Sequence, residues 1–233
     1  MNGVFLILGM AAASIVIAGV VVLKITSLYE QLDVSEISDS HNRDRNSLDE
    51  DLRDILGFVP LDEVSAIFRS YVINDKQIGR DTIGYLNDNF RYIAEEFDKM
   101  PEFHLLLGML RNLGLSTEYW YEKLETIGGE IPKHEKDNPA RTDRGFSGMI
   151  EEIRRILPSE ELHELLTQKF IHSPTFRSFV VILQSPIFEA FRDAVQRNQV
   201  LQRHYFWAND DGVEVCFATE LLNNLIAYLV HEL

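Results

Sequence analysis

Two fifteen-residue stretches decide the fold: PLDEVSAIFRSYVIN at residues 60–74 and PSEELHELLTQKFIH at residues 158–172. Each opens on a proline, which a helix tolerates in its first turn because the missing N–H would be unpaired there. Behind Pro60, the apolar residues Leu61, Val64, Ile67, Phe68, Tyr71 and Val72 recur at intervals of three and four, the signature of one helix face. The second stretch lies 98 positions further on, and the same shift holds well outside it. Glu63 meets Glu161, Ile73 meets Ile171, Phe90 meets Phe188, Gly114 meets Gly212, Glu122 meets Glu220 and Leu124 meets Leu222. Apolar pairs fill in between, among them Leu52/Ile150, Val64/Leu162, Ile83/Val181 and Phe103/Leu201. One register kept through a helix-opening proline and a helix-closing glycine reads as an internal duplication.

The remaining punctuation is helical too. Ser47 and Glu50 form a capping box that opens Leu48–Leu56, closed by Gly57. A short helix is expected near Gln77–Leu86, and Phe90, Ile93, Ala94 and Phe97 give the next stripe. Pro101 opens a helix with Phe103, Leu106, Leu107 and Leu110 facing inward and Gly114 as its stop, and Ser116 caps another that carries Tyr119, Trp120, Leu124 and Ile127. In the second copy Ser173-Pro174 and Ser185-Pro186 each read as an N-cap followed by a first-turn proline. No period-two runs bounded by hairpin turns occur. The expected fold is all-α: repeat 1 at 47–129, a linker at 130–145 and repeat 2 at 146–233, each repeat of about six short helices, forming one globule around an apolar interior.

Residues 3–23, GVFLILGMAAASIVIAGVVVL, carry no charge. About 20 apolar residues suffice to cross a bilayer as a helix. A cleaved signal peptide and an uncleaved signal-anchor both fit, and either places the rest of the chain outside the cytosol, secreted or membrane-tethered. Residues 24–46 read as an acidic tether. Over the whole chain 37 Asp and Glu stand against 22 Lys and Arg, a formal charge of −15, which argues against a nucleic-acid partner. The single cysteine, Cys216, excludes an internal disulfide and a Cys-based zinc site, and its apolar neighbours suggest a buried thiol.

Near-motifs fail on their chemistry. His163-Glu164-Leu165-Leu166-Thr167 begins like a zinc-protease helix, but Thr167 occupies the place of the second histidine. Gly145-Phe146-Ser147-Gly148 is one residue short of a nucleophile elbow and follows no strand. Acid pairs such as Glu160-Glu161 point to different helix faces and favour the helix dipole as solvated charge. No catalytic residue, metal site or cofactor motif is identified, and the expected activity is non-enzymatic.

The segment Phe90 to Gly114, FRYIAEEFDKMPEFHLLLGMLRNLG, resembles the central motif of the insect allergen-related repeat family: an apolar helix opening on Phe, Pro-Glu at the next helix start, a Leu-rich helix, then Gly. Pro60-Leu61-Asp62-Glu63-Val64 is similar to the family's repeat opening. The second copy departs from the pattern, with Gln199-Val200 in place of Pro-Glu and His204-Tyr205-Phe206-Trp207 within the Leu-rich helix. The resemblance implies a gut-associated protein of about twelve helices whose two repeats close around a large apolar cavity holding fatty acids or phospholipid tails. Such a cavity would be lined by Phe68, Phe90, Ile93, Phe97, Leu106, Leu110, Phe179, Leu183, Phe188 and Phe191. It also leaves room for a structural component of gut microvilli without ligand, or a specifier-type detoxification protein. Physics constrains the first option: ~400 Å³ left empty would cost about 10 kcal/mol, comparable to the whole stability of a domain, so a capsule of this type must be filled or collapse.

Overall fold

The computed structural model describes residues 47–116, 144–231 and 233. The expected N-terminal apolar segment, the acidic tether, the helix from Ser116 onward and nearly all of the linker lie outside them. The described residues form ten α-helices and no strand, and the protein is all-α. Along the chain these are α1 (Leu48–Gly57), α2 (Leu61–Asn74), α3 (Ile83–Asp98), α4 (Pro101–Asn112), α5 (Gly145–Ile156), α6 (Ser159–His172), α7 (Pro174–Leu183), α8 (Pro186–Arg197), α9 (Gln199–Asp210) and α10 (Val215–His231). A π-helical segment, Gln77–Thr82, runs directly into α3.

Local chemistry explains the helix ends. The Ser47 hydroxyl accepts from Glu50 N while the Glu50 carboxylate accepts from Ser47 N, a complete capping box. Pro60 and Pro158 are the N-caps of α2 and α6, with φ/ψ of −74°/76° and −76°/77°, one residue earlier than a first-turn position. Both helices are 14 residues long. Likewise α4 and α9 each span 12 residues, and each is followed by a glycine in the left-handed region, Gly114 at φ 83° and Gly212 at φ 88°. An L side chain at such a φ costs about 1–2 kcal/mol. A Cβ on Gly114 would also lie 2.8 Å from the Ser47 Cβ, whereas on Gly212 its nearest neighbour is 3.6 Å away. Gly212→Ala is therefore expected to lose about 1–2 kcal/mol by strain alone, and Gly114→Ala to lose more by displacing the cap of α1. Urea unfolding of the two variants checks that order.

Helices from either side of residues 117–143 interleave. Helix α1 packs on α6 and α7, α2 on α5, α3 on α9, and α4 on α8, with α10 covering α7 and α9. Two apolar clusters result. The larger takes Leu48, Val64, Tyr71, Val72 and Ile78 from before residue 117 and Phe146, Met149, Ile153, Leu162, Phe176, Val180, Leu221 and Tyr228 from after it. The smaller combines Met100, Phe103 and Leu107 with Leu201. Burying each such side chain contributes about 1.5–3 kcal/mol, so both clusters bind the two parts of the chain together.

Polar groups cross the same seam. Asp75 is 1% exposed, and its carboxylate accepts from Gln77 N and Ile78 N on one oxygen and from Arg144 N and Gly145 N on the other. One buried acid thus satisfies the free N–H groups of the π segment and of α5. Tyr71 donates to Glu152 at 2.9 Å, and its phenol is pushed up to about 12 by burial and by that bond to a carboxylate. Asp51, fully buried, accepts from Lys169 Nζ at 2.9 Å and from the Ser173 hydroxyl. Burial alone would push the Lys169 ammonium down, but its bonds to Asp54 and Asp51 outweigh it and the net shift is upward.

Two expectations need correction. The helix expected at Gln77–Leu86 is not a separate element, because nothing between it and Phe90 breaks the chain and the π segment continues into α3. Cys216 is exposed rather than buried, because the first turn of α10 turns Phe217 and Ala218 toward the larger cluster and Cys216 away from it; its sulfur accepts from the Tyr205 hydroxyl at 3.0 Å.

Candidate functional site

Seven of the ten residues expected to line an apolar interior pack against one or other of the two clusters. Phe68, Leu110, Phe179 and Leu183 are half-buried against the larger one. Ile93, Phe97 and Phe191 are half-buried against the smaller one, and Phe188 joins it through Phe191 with ring centroids 6.3 Å apart. Leu106 on α4 is buried. Phe90 lies on α3, and its side chain is outside the described residues. In the smaller cluster Phe97, Phe103 and Phe191 form a triangle with centroids 5.6, 6.1 and 6.2 Å apart, within the range where tilted rings attract. Helices α3 and α4 supply two of these rings and α8 the third.

Between α4 and α7 runs an open groove of about 730 Å³, lined by Met109, Asn112 and the C-cap residue Leu113 of one helix and Pro174, Arg177, Ser178, Val181 and Ile182 of the other. That volume falls among the ~300–1,000 Å³ typical of small-molecule sites. The groove lies where the two parts of the chain meet. Its helices also carry Leu106, Leu110, Phe179 and Leu183, which are not among its lining residues. Reading the sequence for inward faces missed the groove residues themselves. Helix α7, PTFRSFVVIL, is apolar nearly all round, so periodicity does not say that Val181 faces out at 57% exposure. Arg177, the only charge on α7, was the available signal. One of its N–H groups donates to the Ile171 carbonyl at 3.1 Å. Ser178 donates to the Pro174 carbonyl at 2.8 Å.

Near the smaller cluster, His204 joins α9 to α3. The Tyr85 hydroxyl lies 2.7 Å from the His204 carbonyl, to which it donates, and 3.0 Å from Nδ1. Trp207 packs edge-on against the imidazole at 5.4 Å. Burial, with the Arg203 charge adding to it and Glu96 opposing, holds His204 below its ordinary value. A depressed histidine favours the neutral folded state, so its stabilisation is complete above the unfolded value near 6.5 and is lost as pH falls through the folded value. The thermal midpoint of the protein is expected to fall between about pH 7.5 and 5 more steeply than that of His204→Gln, which removes this titration. Differential scanning fluorimetry across that range reads the slope difference.

His163, the first residue of the failed zinc motif, instead bonds Tyr228 of α10 through Nδ1. Among the described residues no group of three or more His, Cys, Asp or Glu side chains is placed to hold a metal ion.

Comparison with known proteins follows the same geography. The chain is 22% identical over 190 residues to Protein G12 of Anopheles gambiae, covering 78% of this chain and 88% of that protein. A family model described as insect allergen related repeat, nitrile-specifier detoxification, matches residues 47–217, which take in every helix from α1 through α9 and the start of α10. The chain belongs to the insect allergen related repeat family.

Proposed function

We propose that the protein is a non-catalytic carrier of apolar ligands, fatty acids or phospholipid tails, held where two tandem copies of one helical unit meet. The observation that carries this reading is the groove between α4 and α7, which draws its apolar lining from both sides of residues 117–143. The repeat layout has its own support. Helix α6 starts and ends 98 positions after α2, α9 does the same after α4, and Gly212 follows Gly114 at that spacing with nearly the same φ. Packing of α1 on α6 and α2 on α5 is the reciprocal exchange expected of two copies facing one another. Transfer into the site gains about 25 cal/mol per Å² of acyl surface removed from water and needs no bond chemistry. Ligand contacts would extend from the groove to Leu106, Leu110, Phe179 and Leu183 on the same two helices and to Phe97, Phe188 and Phe191 in the aromatic cluster. Residues 3–23, as leader or anchor, place this carrier outside the cytosol.

The test is solvent extraction of the purified full chain followed by mass spectrometry. A stoichiometric acyl species is the expected result. Protein that comes out clean would sink the carrier reading and favour a structural component of the cell surface. The family description's mention of nitrile-specifier detoxification supports a second reading, in which the chain redirects the breakdown of a dietary toxin. Altered product ratios when the chain is added to such a breakdown reaction would favour it.

A further inference from the structure

We propose that the α4–α7 groove selects amphiphiles whose head group is a carboxylate, with Arg177 as the residue that selects them, an assignment that rests on the carrier reading. Five of the eight lining residues are apolar, and the polar three are Asn112, Arg177 and Ser178. An apolar wall with a few polar groups at fixed points is the make-up of a site that orients its ligand. Arg177 is the one charge among the eight, so the lining holds no carboxylate. Glu102 shares the groove side of α4 but stands seven residues before Met109, about 10 Å along the helix. Charges that far apart across water are largely screened at ordinary salt, where the Debye length is about 8 Å. The lining is therefore locally positive in a chain of formal charge −15.

The guanidinium is placed for the task. One Nη2 N–H of Arg177 donates to the Ile171 carbonyl at 3.1 Å. Ile171 is the penultimate residue of α6, so this bond satisfies one of the carbonyls left over at that helix end. A helix C-terminus carries roughly half a negative charge, and a full positive charge outweighs it. A guanidinium presents two two-pronged edges, Nε with Nη2 and Nη1 with Nη2, and Nη2 gives one N–H to each. The bond to Ile171 uses one edge and leaves the other whole, and a carboxylate fits such a fork with both oxygens. Among the described residues Arg177 makes no ion pair that would take it. The Ser178 hydroxyl gives its proton to the Pro174 carbonyl, which leaves Arg177 and the Asn112 amide as the donors to a head group. The bond to Ile171 also draws the guanidinium toward the N-terminal end of α7. Val181, one turn on from Arg177 and 57% exposed, then offers apolar surface on which a hydrocarbon tail can lie.

Equilibrium dialysis of the delipidated full chain against radiolabelled oleate and oleyl alcohol, which share one tail, reads the selection. Arg177→Gln is expected to weaken oleate binding about tenfold, the worth of a hydrogen bond between charged groups, and to leave oleyl alcohol unchanged. Arg154→Gln on α5, outside the groove, makes the same change in net charge and should alter neither. Equal losses for the two ligands would show that Arg177 only holds the end of α6 and would overturn the proposal, as would no loss for either. In both cases binding by the wild type leaves the carrier reading standing. A wild type that binds neither ligand would overturn the carrier reading and the selection with it. A lysophosphatidate with the same tail that loses more than oleate does would assign the groove to phosphate heads instead and overturn the carboxylate assignment. Should circular dichroism show that Arg177→Gln does not fold, Arg177→Lys keeps the charge without the fork. A smaller loss confined to oleate is then expected, and no loss would overturn the proposal.

Discussion

Asp51→Ala is expected to destabilise the protein by about 3–5 kcal/mol, the range for removing one partner of a buried ion pair. Asp51 is 0% exposed, and the Lys169 side chain is 12% exposed. Without Asp51 the ammonium keeps only Asp54, whose side chain is 59% exposed and therefore screened by water. The Ser173 hydroxyl also loses its buried acceptor, although its oxygen continues to cap α7 by accepting from Phe176 N at 3.1 Å. Much of the loss is the penalty of leaving a charge stranded rather than the worth of the pair. The double variant Asp51→Leu/Lys169→Met should accordingly lie closer to wild type than Asp51→Ala does. Guanidinium unfolding of the three proteins reads both differences. A single variant within about 1 kcal/mol of wild type would contradict the burial on which the expectation rests.

Phe103→Ala should cost a similar ~3–5 kcal/mol and lower the thermal midpoint by on the order of 10 °C. Phe103 is 3% exposed and contacts Phe97 on α3 and Phe191 on α8, so truncation opens a void bounded by helices from both sides of residues 117–143. Phe103→Leu, which keeps most of the volume, should lose less. The shared cluster adds a sharper expectation. Amide exchange should quicken in α8 and α9 as well as in α3 and α4, because the void belongs to both. Acceleration confined to α3 and α4 would show that the smaller cluster does not couple the two parts.

Punctuation was the part of the fold most open to reading. Pro101, Pro174 and Pro186 mark helix starts because a proline's fixed φ and missing N–H suit the first turn and almost nothing later. The same rule explains the error near Gln77. Pro186 breaks the second half between α7 and α8, whereas Asp88, 98 positions before it, breaks nothing, and α3 runs on unbroken. Buried carboxylates were beyond reach. Asp51 and Asp75 look like solvated helix-end acids, and only partners far along the chain, Lys169 and the N-terminus of α5, make them interior groups. The groove was hidden for a related reason. Val181 belongs to a helix apolar on nearly every side and Leu105 to an unbroken Leu105–Leu107 run, and which of these residues faces out is decided by neighbours that periodicity does not name.

The most direct measurement is methyl NMR of the delipidated full chain titrated with a nitroxide-labelled fatty acid. One bound molecule is expected to broaden methyl signals of Met109 and Leu113 together with those of Val181 and Ile182, at a common concentration. Broadening restricted to residues on one side of the seam, or none at saturating ligand, would contradict a site made jointly by the two parts of the chain.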